Sequence, residues 1–282
     1  MTKEMNYGDD YKYIPMTSML SMVGQVVTPD IYCFTIQVVN VCFVGDPGKN
    51  DGWTLIDAGM PRSAEAIIKE AEERFGPGTK PKAIILTHGH FDHVGAIMEL
   101  LEHWDVPVYA HVAELPFLNG STDYPKPDPS VGGGLVARMS SYFPNKGINL
   151  GDRVKPLPAD FSVPTMPGWK WIYTPGHAPG HISLFRESDR ALIAGDAFVT
   201  VKQESLFKVL VQEKEVNGPP KYFTTDWDKA WESVRTLEAL KPSVAVTGHG
   251  VPISGEELTK ELAALAADFQ LRAIPEQGKY LD

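Results

Sequence analysis

In the stretch Ala83-Ile84-Ile85-Leu86-Thr87-His88-Gly89-His90-Phe91-Asp92-His93-Val94-Gly95, four apolar residues run into a segment holding three of the chain's eight histidines and an aspartate. Ala83–Leu86 has the continuous apolar character of a short buried strand. His88 and His90 stand two apart at its end, so their side chains project the same way. Asp92 and His93 come after the turn, where Val94, Ile97, Met98 and Leu101 mark an amphipathic helix, and they can reach in from another side. Imidazole nitrogen and carboxylate oxygen are ligands for zinc, and they suit iron or manganese as well. One segment with four such groups offers more than a single catalytic ion can use while keeping a position open. Two metals are the economical interpretation.

Outward from this segment, strands and helices alternate. Trp53–Ile56 reads as a strand ending in Asp57-Ala58-Gly59, followed by a helix with Ala64, Ile67, Ile68, Ala71 and Phe75 on one face. Trp171–Thr174, Ile182–Phe185, Ala191–Ala194 and Val244–Thr247 read as further strands, and Asp226–Leu240 as a helix. Trp53–Asp57, helix, Ile84–His88 is faintly echoed by Ala191–Asp196, helix, Val244–His249. That repeat fits two similar α/β halves packed sheet to sheet with helices outside, their polar loops gathered along one edge. The second half brings His177 and His181 in Thr174-Pro175-Gly176-His177-Ala178-Pro179-Gly180-His181, Asp196 after Gly195, and His249 in Gly248-His249-Gly250. His103 and His111 have nothing ligand-like around them and read as ordinary polar residues.

Other stretches are plainer. Ile31–Val44, rich in β-branched and aromatic residues, reads as one extended strand before the turns at Asp46-Pro47-Gly48 and Asn50-Asp51-Gly52. On that reading Cys33 and Cys42, the only two cysteines, are separated by roughly 30 Å and do not pair. They are expected as small core residues. Residues 119–170 read as a long irregular connection with a short helix near Leu135–Phe143. Ser254 and Glu257 form the pattern of a capping box before the last helix. Residues 200–221, with Lys202, Lys208, Lys214 and Lys221, read as a loop insertion or lid, the solvated loop being the favoured reading.

The chain of 282 residues, 43% hydrophobic and 22% charged, is ordinary globular composition. It is read as a single domain, residues 1–282. A net charge of −10 disfavours nucleic acid as a partner. No apolar run approaches the roughly 20 residues that cross a bilayer. Met1 to Pro15 lack an apolar export segment, so a cytoplasmic protein with no membrane partner is expected.

Taken together, Thr87–Gly95 resembles the His-x-His-x-Asp-His signature of the metallo-β-lactamase superfamily. Asp57-Ala58-Gly59, Thr174–His177, Gly195-Asp196 and Gly248-His249 fit that family's other elements in order, so the match spans about Ile31 to Pro252. The resemblance implies a four-layer αββα sandwich and a dinuclear hydrolytic centre. By motif, His88, His90 and His177 would hold one metal, and Asp92, His93 and His249 the other, with Asp196 bridging. Zinc is the metal it points to first. Asp57 occupies a position that supports the ligand loop. His181 is read as buried and hydrogen-bonded rather than catalytic. Asp92 is the expected orienter and proton carrier for a metal-bridging hydroxide.

Single residues narrow the branch. Flavodiiron proteins carry glutamate at the position of His90, and class B β-lactamases carry cysteine or serine at that of Asp196. A full seven-ligand set also favours two metals over the single iron of persulfide dioxygenases. The residues after His249 look like one helix and a tail, without the basic helical extension of glyoxalase II. Lactonases of this fold share Thr-Pro-Gly-His-x-Pro-Gly-His, but they place a tyrosine where this chain has Val199; Tyr222 is a candidate replacement. The expectation is a hydrolase of a small ester-like bond, a lactone or ester, with phosphodiesters or thioesters as alternatives. Its partner would be a small-molecule substrate and its state a monomer or homodimer. A metal-free binding or scaffold role would call for substituted ligands, and none of the seven is substituted.

Overall fold

The computed structural model describes residues 17–49 and 51–281. Met1 to Pro15, where no export segment was expected, and Asn50 of the expected Asn50-Asp51-Gly52 turn lie outside the described residues. Among those described, no helix is long and apolar enough to cross a membrane.

Two sheets form the centre. The first has seven strands in chain order: β1 (Val23–Thr28), β2 (Ile31–Ile36), β3 (Val39–Val44), β4 (Thr54–Ile56), β5 (Ile84–Ile85), β6 (Val108–Ala110) and β7 (Val154–Pro156). The first four pair antiparallel, and β4 to β7 pair parallel. In the second sheet β8 (Trp169–Tyr173), β9 (Ile182–Arg186) and β10 (Ala191–Gly195) are antiparallel neighbours. There β11 (Val244–Thr247) runs parallel to β10, and β12 (Ile253–Ser254) closes the far edge. The helices are α1 (Ala64–Phe75), α2 (Phe91–Val94), α3 (Ile97–Trp104), α4 (Leu115–Leu118), α5 (Leu135–Met139), α6 (Leu206–Val211), α7 (Trp227–Ala239), α8 (Gly255–Ala267) and α9 (Phe269–Arg272).

The alternation of strand side chains creates the layers. Along β3, Val39, Val41 and Phe43 join α1 and α3 in one core, whereas Cys42 and Val44 face the second sheet. Along β10, Leu192 and Ala194 pack with α7 and α8, and Ala191 and Ile193 return to the inter-sheet core. Helix, sheet, sheet and helix therefore stack in that order, as the sequence implied. The repeat is real as well: β4–α1–β5 and β10–α7–β11 both enclose a parallel pair. Asp57, His88, Asp196 and His249 follow the ends of these four strands at one edge of the sandwich.

Several stretches differ from their sequence-based expectation. Ile31–Val44 is not one strand but the β2–β3 hairpin, turning at Gln37-Val38. Gln37 takes a left-handed φ of 56°, and Val38 is buried with Val201 and Val209. Cys33 and Cys42 are consequently direct cross-strand partners rather than far apart. Both are free thiols in the inter-sheet core, as expected of small core residues, and the hydrogen bond from Cys33 together with burial pushes the Cys42 thiol up.

The capping box does not form. Ser254 precedes α8 without a side-chain hydrogen bond to it, because it belongs to β12, and Glu257 pairs with Lys214 Nζ. Residues 200–221 are not a plain solvated loop either. They contain α6, with Val201 and Val209 fully buried, and Lys208 and Lys214 are held by Glu213, Glu215 and Glu257.

Candidate metal centre

All seven residues named from the sequence converge, and all are buried. His88, His90 and His177 present ligand atoms within 4.8 Å of one another, as do His88, His93 and Asp196, and likewise Asp92, His93 and His249. Asp196 Oδ2 stands 3.5 Å from His93 Nε2, 3.4 Å from His177 Nε2 and 3.2 Å from His249 Nε2. Asp92 Oδ2 is 3.4 Å from His249 Nε2, and His90 Nδ1 is 3.0 Å from His177 Nε2. His88 Nε2, Asp92 Oδ1 and Asp196 Oδ1 are buried with no hydrogen-bond partner. Such orphaned atoms cost free energy unless something binds them. A convergent set of nitrogens and oxygens fits divalent metal ions.

Several of these imidazoles are aimed by their other nitrogen, as metal ligands require. Asp57 holds both His93 and the ligand loop. Its Oδ2 accepts from His93 Nδ1 at 2.8 Å and from Thr87 Oγ1 at 2.8 Å, and its Oδ1 accepts from the Thr87 amide at 2.8 Å. His249 Nδ1 donates to the Val38 carbonyl at 2.8 Å, which frees Nε2 to face the carboxylates. His177 Nδ1 lies 3.2 Å from Thr224 Oγ1. Phe223 stacks on the His90 ring at 4.5 Å, and Tyr124 meets it edge-on. His181 has no nitrogen to spare: Nδ1 is 3.0 Å from the Thr174 carbonyl, and Nε2 accepts the Asp196 amide at 2.8 Å. It positions Asp196 and stays outside the triads.

The electrostatics differ between the two ends. Burial, followed by the neighbouring imidazoles, lowers His88 and His177 far below the usual histidine range and takes His90 to about 3. Those rings are neutral, with lone pairs available. Burial acts the same way on His93 and His249, but the Asp196 charge and its acidic neighbours outweigh it. His93 is held well above its ordinary value and His249 at about 10. Asp92 and Asp196 stay low despite burial, because His93 and His249 surround them.

Two residues carry no mark in the sequence. Glu114, fully buried on the 3-10 turn Val112–Glu114, accepts the Gly89 amide at 2.9 Å and the Gly180 amide at 2.7 Å. Tyr124 Oη donates to the same carboxylate. Burial raises the Glu114 carboxyl, while the three donors oppose that rise. A lone glutamate before Leu115 belongs to no motif, and neither does the tyrosine that serves it.

Residues 35–249 match the metallo-beta-lactamase superfamily. The chain is 50% identical over 254 residues to the probable metallo-hydrolase YflN of Bacillus subtilis, covering 90% of this chain and 96% of that one. It is 29% identical over 214 residues to hydroxyacylglutathione hydrolase GloC of Haemophilus influenzae, covering 75% and 85% respectively. Among solved structures it is similar to TTHA1623 in a di-iron-bound form, at 25% identity and a TM-score of 0.50, covering 81% of this chain and 92% of that one. With the sandwich, the strand-end ligand loops and a relative half identical across nine-tenths of its length, this protein belongs to the metallo-beta-lactamase superfamily.

Proposed function

We propose that this metallo-hydrolase holds two divalent ions, zinc foremost, and cleaves a small ester-like bond, a lactone or an ester. His88, His90 and His177 would hold one ion, Asp92, His93 and His249 the other, with Asp196 between them. The observation that carries the reading is the Asp196 carboxylate, whose Oδ2 lies within 3.5 Å of imidazoles belonging to both triads. Divalent cations supply Lewis acidity and make a water acidic enough to attack near neutral pH.

The chain's own residues do the rest. Asp92, ionised and with Oδ1 unengaged, accepts the proton of the attacking water and returns it to the leaving oxygen. Val199 is buried and offers a substrate no side-chain donor. Tyr222 supplies that donor. Burial and the nearby Asp92, Glu204 and Asp196 charges push its phenol well up, so it keeps its proton. Tyr222 packs edge to face on Phe143 and on Phe223, and Phe223 in turn stacks on His90.

A thioester is the second reading, favoured by the likeness to GloC over 85% of that enzyme's length. With a hydroxyacylglutathione hydrolase matched so far along its chain, thioesters stand directly behind lactones and esters. Metal-loaded protein should be assayed for kcat/KM on lactones, esters, thioesters, phosphodiesters and β-lactams. A lactone or ester as the fastest substrate supports the proposal. A thioester in that place selects the second reading, and a phosphodiester far ahead of all carbonyl substrates overturns both.

A further inference from the structure

We infer that Glu114 is a positioning residue that sets the geometry of one triad, His88, His90 and His177, and leaves the other largely untouched; this rests on the two-ion reading above. Its carboxylate accepts a backbone amide from each of the two loops supplying this triad. Oε2 accepts the amide of Gly89, which lies between His88 and His90, and Oε1 accepts the amide of Gly180, in the loop that carries His177. Tyr124 Oη completes the arrangement by hydrogen bonding to Oε2 and lying 3.0 Å from the Gly89 amide.

The two glycines are an independent sign that this approach is built in. A Cβ at Gly89 would stand 2.5 Å from Tyr124 Oη and 2.9 Å from Leu118 Cδ2. A Cβ at Gly180 would stand 2.7 Å from the Glu114 amide nitrogen and 2.8 Å from its Cγ. Neither glycine has a left-handed backbone, so close approach rather than φ excludes a side chain there. Both loops are bare where residue 114 and its tyrosine press against them. By contrast, His93 and His249 are aimed by Asp57 and by the Val38 carbonyl, neither of which touches Glu114.

Only a carboxylate can accept from both loops at once. In Glu114→Gln one end becomes an NH2 that faces a backbone N–H, so one loop is released without a change in side-chain size. Zinc affinity, measured stepwise against a chromophoric chelator, should fall about 10–100-fold for one of the two binding steps and stay unchanged for the other. His249→Ala, which keeps the three-histidine triad, identifies the step concerned. The buried N–H left unpaired should lower the melting temperature of the metal-free protein by several degrees, so the zinc steps are compared at a temperature where both proteins are fully folded. Tyr124→Phe keeps the carboxylate and removes one donor, so it should weaken the same step to a lesser degree, and it decides the matter if Glu114→Gln does not fold. Equal weakening of both steps, or of neither, overturns the inference. If the unaltered protein takes up a single ion, the two-ion reading fails by itself, and Glu114 is then judged on that one step, where no change overturns it.

Discussion

Asp196 and His181 touch, yet their atoms are committed differently. Asp196 Oδ1 is unpartnered and Oδ2 faces three imidazoles, whereas both His181 nitrogens are occupied. Asp196→Ala should therefore abolish turnover and lower bound metal in elemental analysis. His181→Ala should keep its metal and lose only part of its activity; equal metal loss in both would make His181 a ligand. Tyr222 allows a cleaner separation of chemistry from binding. Tyr222→Phe keeps the ring packed against Phe143 and Phe223, so metal content should hold while kcat on the best ester-like substrate falls on the order of 10²–10³-fold. An unchanged kcat would remove Tyr222 from the mechanism. At this scale the convergent cluster was legible because the spacing His88, His90, Asp92, His93 states its chemistry locally. Glu114 was not, since its meaning lies in contacts to Gly89 and Gly180, far away along the chain.

Among elements, the β2–β3 hairpin is the one whose concealment mattered most. A turn made of Gln37 and Val38 has none of the glycine, asparagine or aspartate that announces a tight reversal, and Val38 reads as strand because it is a buried plug. Helices α1, α3, α7 and α8 and the short strands β4, β5, β10 and β11 were legible from apolar periodicity and from the breakers that bound them, whereas α6 lay hidden in a stretch that reads as loop. The hairpin also serves the site. Asn40 Nδ2 donates to the Thr247 carbonyl at 2.9 Å and to the Gly250 carbonyl at 2.7 Å, gripping the loop that carries His249, while its Oδ1 accepts from Thr35 Oγ1. Asn40→Ala leaves those carbonyls buried and unpaired. Urea unfolding of the metal-free protein should show a loss of about 2–3 kcal/mol. A loss under a few tenths would mean that water or a backbone shift replaces the amide.

For the whole molecule, the sequence carried the layered plan because each half repeats strand, helix, strand, polar loop, and alternate residues in β3 and β10 divide between two cores. It could not carry the docking of the halves, which depends on side chains meeting across the inter-sheet core. The candidate ligands come from both halves, so ions held as proposed would join them. With free zinc about a thousandfold above its dissociation constant, one ion adds about 4 kcal/mol to the folded state. Chelation should then lower the melting temperature on the order of 10 °C by differential scanning calorimetry, and a shift near zero would show that the halves hold equally well without metal. Every triad draws two members from the first half and one from the second. Within a triad, neither half alone offers an ion more than a two-point grip, so coordination becomes a measure of alignment between the sheets. A slip of a fraction of an ångström, too small to admit water to the core, would spoil all three triads together.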